Sequence, residues 1–297
     1  MQQESIFISD DNHQLHLRHI WKKQSGVPIF MLHGLIENGR IFYTEKGKGL
    51  ACFLAEQGFD VYVADLRGRG KSTPSINAKS SFGQYEAITR DIPLFLEKIQ
   101  TLNVQKIHLI AHSWGGVLLS SFLARYPKWL DKIHSKTCFG TKRVVTARTL
   151  EAHIKLGIFW RYIAPKLAKI GGYLDAKKFR FGSDNETKQS LKESITWVIP
   201  GQWQDQSDGF NYFDAAQTLT WPPTWHFTGI KDYALGHQQD VQLFIEECGN
   251  HRAKFSVLSK QAGSYVDYDH INILTHPHTV NDHFPILANW LLEQQTM

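Results

Sequence analysis

Apolar and polar residues alternate from Ser5 to Ser9 and again from Gln14 to Trp21, with Asp11-Asn12 between the runs. Period-two alternation around a turn pair predicts a β-hairpin. The pattern then changes. Pro28 to Leu32, Asp60 to Leu66, Lys106 to His112 and Ile133 to Phe139 are short, mostly apolar runs, the last being the weakest. Such runs suit strands covered on both faces. Segments of helical period separate them. Gly49 to Gln57 sets Leu50, Phe53 and Leu54 on one side and is stopped by Gly58. Gln84 to Leu102 carries Ile88, Ile92, Phe95, Leu96 and Ile99 on one stripe. Pro93 lies inside it and predicts a kink or a later true start. Gly115 to Tyr126 predicts a helix ended by Pro127.

The order strand, helix, strand, helix, strand, helix, strand implies an α/β fold, a doubly wound and mostly parallel sheet with helices on both faces. Between Lys142 and Thr220 the helical period continues without a strong strand. Leu150, Ile154, Ile158 and Ile163 are spaced for one or two helices. Ser183 and Glu186 have capping-box spacing ahead of Leu191, Ile195 and Val198, and Pro200-Gly201 stops that helix. Strand patterns resume at Pro223 to Thr228 and Lys254 to Leu258, and a helix from about 281 to 293 follows. The chain therefore divides into a core built from residues 1–141 and 221–297, and a helical lid or cap inserted at 142–220.

Composition narrows the class. The chain has 297 residues, 42% hydrophobic and 21% charged, which excludes disorder and coiled coil. Its net charge of +5 is spread thinly with no dense Lys/Arg run, so nucleic acid is not an expected partner. Cys52, Cys138 and Cys248 are odd in number and widely spaced. That argues against a disulfide framework or a zinc ribbon and fits a reducing compartment. The first residues hold no basic head followed by an apolar stretch, and no run of 18 apolar residues occurs anywhere. The expectation is a soluble, cytoplasmic protein without a transmembrane segment. The aromatic residues are less ordinary. Trp160, Trp197, Trp203, Phe210, Tyr212, Phe213 and Trp221 crowd into and beside the insert, which suits a lid core with some rings facing a pocket.

The third buried run leads straight into Ala111-His112-Ser113-Trp114-Gly115-Gly116 and a helix. A tight strand-to-helix turn flanked by small residues lifts a serine hydroxyl above the sheet. It also aims the next backbone N–H, at a helix N-terminus, toward developing negative charge. A serine there needs a base and a carboxylate to orient that base. Downstream, Asp232 and His270 complete the order Ser, Asp, His. Gly70-Lys71-Ser72 looks like the end of a phosphate loop, but the earlier glycine it needs is Asp65.

These motifs resemble the α/β-hydrolase fold family, and the resemblance spans nearly the whole chain. His33-Gly34-Leu35 resembles its oxyanion loop, and Asp65 to Ser72 its loop after the fourth strand. Ala111 to Gly116 resembles its nucleophile elbow, Gly229 to Asp232 its acid turn, and Asp269 to Asn272 its histidine loop. Leu35 to Leu66 looks most like the lipase and esterase branches, and Ala111 stands where the family usually has Gly. The resemblance implies a serine hydrolase acting on an ester, the alternatives on the same fold being an amidase or peptidase, a thioesterase, an acyltransferase or a catalytically silent ligand-binding member. Ser113 is its nucleophile, His270 its base and Asp232 the orienting acid, with the Leu35 and Trp114 N–H groups as oxyanion hole. No cofactor or metal is implied. The expected substrate is a small ester or lipid-like molecule, and Lys155, Arg161, Lys166 and Lys169 on the amphipathic insert allow transient membrane-surface contact. Asp205, Asp208, Asp214 and Asp240 are weaker rivals for the acid, and His276, His278 and His283 for the base. His112 reads as structural, pointing away from substrate.

Overall fold

The computed structural model describes residues 1–23, 25–250 and 252–295. The strands are β1 Gln2–Asp10, β2 His13–Trp21, β3 Pro28–Leu32, β4 Asp60–Asp65, β5 Ile107–His112, β6 Ile133–Phe139, β7 Tyr173–Leu174, β8 Glu186–Thr187, β9 Thr224–Gly229 and β10 Lys254–Leu258. The helices of the first half are α1 Leu50–Glu56, α2 Gln84–Glu86, α3 Ile92–Leu102 and α4 Trp114–Arg125. They are followed by α5 Leu150–Ala152, α6 Ala164–Gly171, α7 Lys188–Trp197 and α8 Tyr212–Gln217, then α9 Gln238–Glu247, α10 Asn272–Thr275 and α11 His283–Glu293.

Eight of these strands form one sheet in the order β1-β2-β4-β3-β5-β6-β9-β10, and β7 and β8 form a separate two-residue ribbon. The β1–β2 hairpin and the β2–β4 pair are antiparallel; the pairs from β4 onward are parallel. Successive residues of a strand point to opposite faces, and the two cores divide accordingly. Phe30, Leu32, Tyr62, Ala64 and Leu109 join Phe95, Val117 and Phe122 on one face. Ile29, Met31, Val61, Val63 and Ile110 join Leu50, Leu54, Leu287 and Leu291 on the other. Both faces being covered explains why these strands read as continuous apolar runs.

From β3 the chain passes to β4 on one side, then crosses back to β5 on the other. Strand order therefore reverses at the β3/β5 pair. In open α/β sheets the crevice at the C-terminal ends of such a pair is where ligands bind. The loops that leave it begin at His33 and Ser113.

Two local expectations meet different outcomes. Pro93 sits in the first turn of α3, which begins at Ile92, so it marks a later start, and a π-helical turn over Ala87–Asp91 joins α2 to α3. Pro93 cannot donate the i→i−4 bond, and the wider turn ahead of it absorbs that loss. The Ser183/Glu186 capping box does not form. Thr187 is the N-cap of α7 and accepts from the Ser190 N–H, while Glu186 pairs with Arg69. A buried guanidinium partner outcompetes a local cap for that carboxylate.

The 142–220 segment runs from the end of β6 to the start of β9 and contains α5 to α8 and the ribbon. Asn38 Nδ2 and the Gly70 N–H both donate to Asp184 Oδ2, at 3.0 and 2.6 Å. Gln84 Nε2 donates to Ser190 Oγ at 2.9 Å, and Trp203 Nε1 to Ser121 Oγ at 3.0 Å. Trp197, Trp203 and Tyr212 are fully buried and pack in the same cluster as α4. No helix among the described residues is long and apolar enough to cross a membrane.

Candidate active site

Ser113 sits between β5 and α4 with φ +51° and ψ −126°, a strained conformation for a residue with a side chain. It is held from three sides. Its N–H donates to Phe139 O at 2.7 Å, and its carbonyl accepts from Thr141 Oγ1 at 2.9 Å and from the Gly116 N–H at 3.1 Å. The flanking glycines are steric requirements. A Cβ on Gly115 would lie 2.5 Å from both the Leu32 and His33 carbonyl oxygens. A Cβ on Gly34 would lie 2.8 Å from Ser113 Cβ.

His33 sets the loop opposite. Its Nε2 accepts from the Leu66 N–H at 3.1 Å, so the proton sits on Nδ1, which donates to Gly34 O at 2.8 Å. Burial, helped by the Arg69 charge, keeps this imidazole below its ordinary range and neutral. A trans peptide sets C=O and the next N–H on opposite sides. With Gly34 O tied back to His33, the Leu35 N–H points the other way. Neither the Leu35 nor the Trp114 N–H has a backbone or side-chain acceptor among the described residues.

The Asp232 turn follows β9. The Asp232 N–H donates to Gly229 O at 3.0 Å, and Asp232 Oδ1 accepts from the Leu235 N–H at 2.9 Å. The other oxygen, Oδ2, lies 2.5 Å from His270 Nδ1. The two loops are also joined by Lys231 N–H donating to Tyr268 O at 2.8 Å. Asp269 Oδ1 accepts from the Ile271 and Asn272 N–H groups, which fixes the backbone around His270 at the start of α10. Gly140 lies against the pair, and its Cβ would stand 2.8 Å from His270 Nδ1. Burial pushes the Asp232 carboxyl up, but the His270 charge and hydrogen bond, with Lys142 behind them, hold it below the usual carboxylate range. Lys142 itself is buried and is pushed down to about 8, with Asp240 and Asp232 opposing that shift.

The structure therefore places Asp232 and His270 in contact and sets Ser113, Leu35 and Trp114 at the β3/β5 crevice. Ser113 Oγ and His270 Nε2 are not hydrogen-bonded to each other. In unliganded sites such bonds are often long and tighten only around substrate. The rivals are engaged elsewhere. Asp205 accepts from Tyr212 OH, Asp208 pairs with Arg125, and Asp240 accepts from Thr146. His283 donates from Nε2 to Ile273 O and is pushed down to about 4 by burial. Sequence reasoning missed Glu37 and Lys142, and it placed His33 in the oxyanion-loop motif without giving it a role. Glu37 Oε1 accepts from the Gly34 N–H at 2.6 Å and lies 2.8 Å from His112 Nδ1.

A strained serine at a strand-to-helix turn, facing a loop with a free N–H and a carboxylate–histidine pair, defines a class of fold and site. The chain matches the model of the alpha/beta hydrolase fold over residues 27–183 and belongs to that family. It is 31% identical over 122 residues to a protein described as a probable lysophospholipase L2 of Haemophilus influenzae, covering 41% of this chain and 38% of that one. It is 25% identical over 210 residues to triacylglycerol lipase 2 of Arabidopsis thaliana, covering 61% of this chain and 50% of that one. The chain thus spans half or less of the length of these curated relatives. Among solved structures, a soluble variant of monoglyceride lipase from Saccharomyces cerevisiae superimposes with a TM-score of 0.70 at 16% identity, covering 99% of this chain and 95% of that one. At that identity the likeness speaks for the fold.

Proposed function

We propose that the protein is a serine hydrolase that cleaves carboxylic esters with an apolar acyl or alcohol part. The observation that carries this reading is the 2.5 Å contact of Asp232 Oδ2 with His270 Nδ1, on loops adjoining the strained Ser113 turn. With Nδ1–H donated to Asp232, His270 Nε2 is left bare as a base. Ser113 Oγ attacks the ester carbonyl and its proton passes to His270 Nε2. The carbonyl oxygen becomes an oxyanion that takes hydrogen bonds from the Leu35 and Trp114 N–H groups. The C–O bond to the alcohol breaks and His270 returns the proton to the leaving oxygen. Water, deprotonated by His270, then attacks the acyl-enzyme and releases the acid and Ser113. Each step balances without a metal or cofactor.

The relatives' descriptions as a lysophospholipase and a triacylglycerol lipase support an ester over an amide or thioester. The 142–220 insert is the lid. A half-open groove of about 760 Å³ lies within it, with Val145, Leu156, Trp160, Ile195 and Val198 beside Arg148, His153 and Arg161 in its walls; Ser113 and His270 do not line it, so it offers an apolar surface on the lid rather than at the reacting atoms. Around α5 and α6, Leu150, Ile154, Ile158 and Ile163 are exposed apolar residues in the same stretch as Lys155, Arg161, Lys166 and Lys169. That pairing suits contact with an anionic lipid surface.

A panel of p-nitrophenyl esters of graded acyl length tests the reading. Wild type hydrolyses them and Ser113→Ala does not. Equal turnover by the two proteins would remove Ser113 from the reaction.

A further inference from the structure

Beneath the candidate triad lies a second buried histidine–carboxylate pair, joined to it through the main chain. Glu37 leaves the β3 loop three residues after Gly34, and its side chain is 11% exposed; that of His112 is 1% exposed. Glu37 Oε1 takes the Gly34 N–H at 2.6 Å and faces His112 Nδ1 at 2.8 Å. On the far side of the ring, His112 Nε2 lies 2.9 Å from the backbone carbonyl of His270. The two imidazole rings are 4.7 Å apart, centroid to centroid.

The partners assign the protons. A backbone N–H donating to Glu37 Oε1 favours the ionised carboxylate, which can only accept, and His112 Nδ1 then donates to it. A carbonyl can only accept, so His112 Nε2 must also carry a proton. A histidine that donates from both nitrogens is an imidazolium, and the Glu37 carboxylate balances its charge. The titration tendencies agree. Burial pushes Glu37 up, but the His112 charge and hydrogen bond outweigh it and hold Glu37 low. Burial pushes His112 down, but the Glu37 charge, its hydrogen bond and the His270 carbonyl raise it overall.

The geometry points to a positioning device: the Glu37–His112 ion pair ties the Leu35 oxyanion loop to the His270 loop and so fixes the spacing between oxyanion hole and base. This rests on the serine-hydrolase reading above. Three loops converge on two side chains. Gly34 belongs to the loop that carries the Leu35 N–H, His112 directly precedes Ser113, and the bonded carbonyl is that of His270 itself. Glu37 and His112 touch no reacting atom.

Glu37→Gln tests the charge separately from the shape. The glutamine carbonyl still accepts from the Gly34 N–H and from His112 Nδ1–H. The second proton on Nε2 then has no counter-charge, and a neutral His112 turns a lone pair toward the His270 carbonyl. His112→Asn keeps a donor near Glu37 and loses the reach to His270. Each variant is expected to lower kcat by roughly 10- to 100-fold with KM nearly unchanged, as for a misplacement remote from the chemistry.

The pH profile separates this from a general loss of packing. Charged and titratable groups facing the pair are His33 from the β3 loop, His270 from the α10 loop and Asp232 from the β9 turn. His112 is raised, so its imidazolium persists below and through its ordinary value of 6.5 and is lost as pH rises through its folded value. Wild-type kcat therefore carries an alkaline limb. Glu37→Gln moves that limb to lower pH, and His112→Asn abolishes it. Nitrogen NMR of histidine-labelled wild type at neutral pH gives an independent readout, with both His112 nitrogens protonated. A neutral His112 there, or an alkaline limb unmoved in folded Glu37→Gln, overturns the proposal. Ser113→Ala run alongside keeps the two readings apart. If it stays active, the reaction assignment fails; if it alone is inactive and both variants keep wild-type kcat, only the tether fails.

Discussion

The two halves of the insert share amphipathic spacing and meet opposite fates. In residues 188–217, Leu191, Trp197, Trp203 and Tyr212 are buried. In residues 150–170, Leu150 is 75% exposed, Ile170 is 86% exposed, and Ile154, Ile158 and Ile163 are exposed as well. Polar anchors account for the difference. The second half is pinned by Gln84 to Ser190, by Trp203 to Ser121, and by Arg143, which donates to the Trp197 and Ile199 carbonyls and pairs with Glu247. The first half has the Thr149 hydroxyl on Tyr233 O and Trp160 Nε1 on Ser194 Oγ. Helical period thus predicts a helix, while long-range polar partners decide which face of it is covered. One half extends the α4 core; the other presents an apolar surface on the proposed lid.

The largest effect expected from breaking this picture lies outside both halves. Asp232→Asn leaves the fold intact and lowers kcat by on the order of 10,000-fold for every ester, because it removes the acceptor that fixes the His270 tautomer. Steady-state kinetics on a soluble short-chain ester measures it. Next comes the pinned half. Trp203→Ala removes a fully buried ring, with its Ser121 bond and its contacts to Tyr212 and Phe244. It should cost about 3–5 kcal/mol in urea unfolding. The exposed half gives the smallest change in stability. Ile154→Asp with Ile158→Asp should shift unfolding by about 0.5 kcal/mol or less. It should leave short-ester kcat/KM unchanged and weaken sedimentation with phosphatidylglycerol vesicles several-fold. Unchanged vesicle binding would make this face ordinary surface and erase the functional half of the comparison.

Much of the fold is legible in the sequence because its strands are covered on both faces. β3, β6 and β10 begin and end where the apolar runs do, and Asp11-Asn12 turns the hairpin. Ser113, Asp232 and His270 can be picked out because each stands in a loop directly after a readable strand or in the final loop region. What is not legible is partnership across distance. Glu186 fits a local capping box until Arg69, 117 residues away, is brought against it. Pro93 marks the start of α3, but the π-helical turn that joins α3 to α2 has no signal in the sequence. His112 reads as structural, but its partners do not show in the sequence: only the packing of three loops joins it to Glu37 and His270. None of these pairings leaves a periodic trace.

The most direct test of the central claim is covalent. Folded wild type is incubated with a fluorophosphonate probe, and the adduct is mapped by peptide mass spectrometry beside Ser113→Ala. The account predicts one adduct, on Ser113, absent from the variant. No adduct on folded wild type, or one carried by another residue and retained in Ser113→Ala, would contradict it.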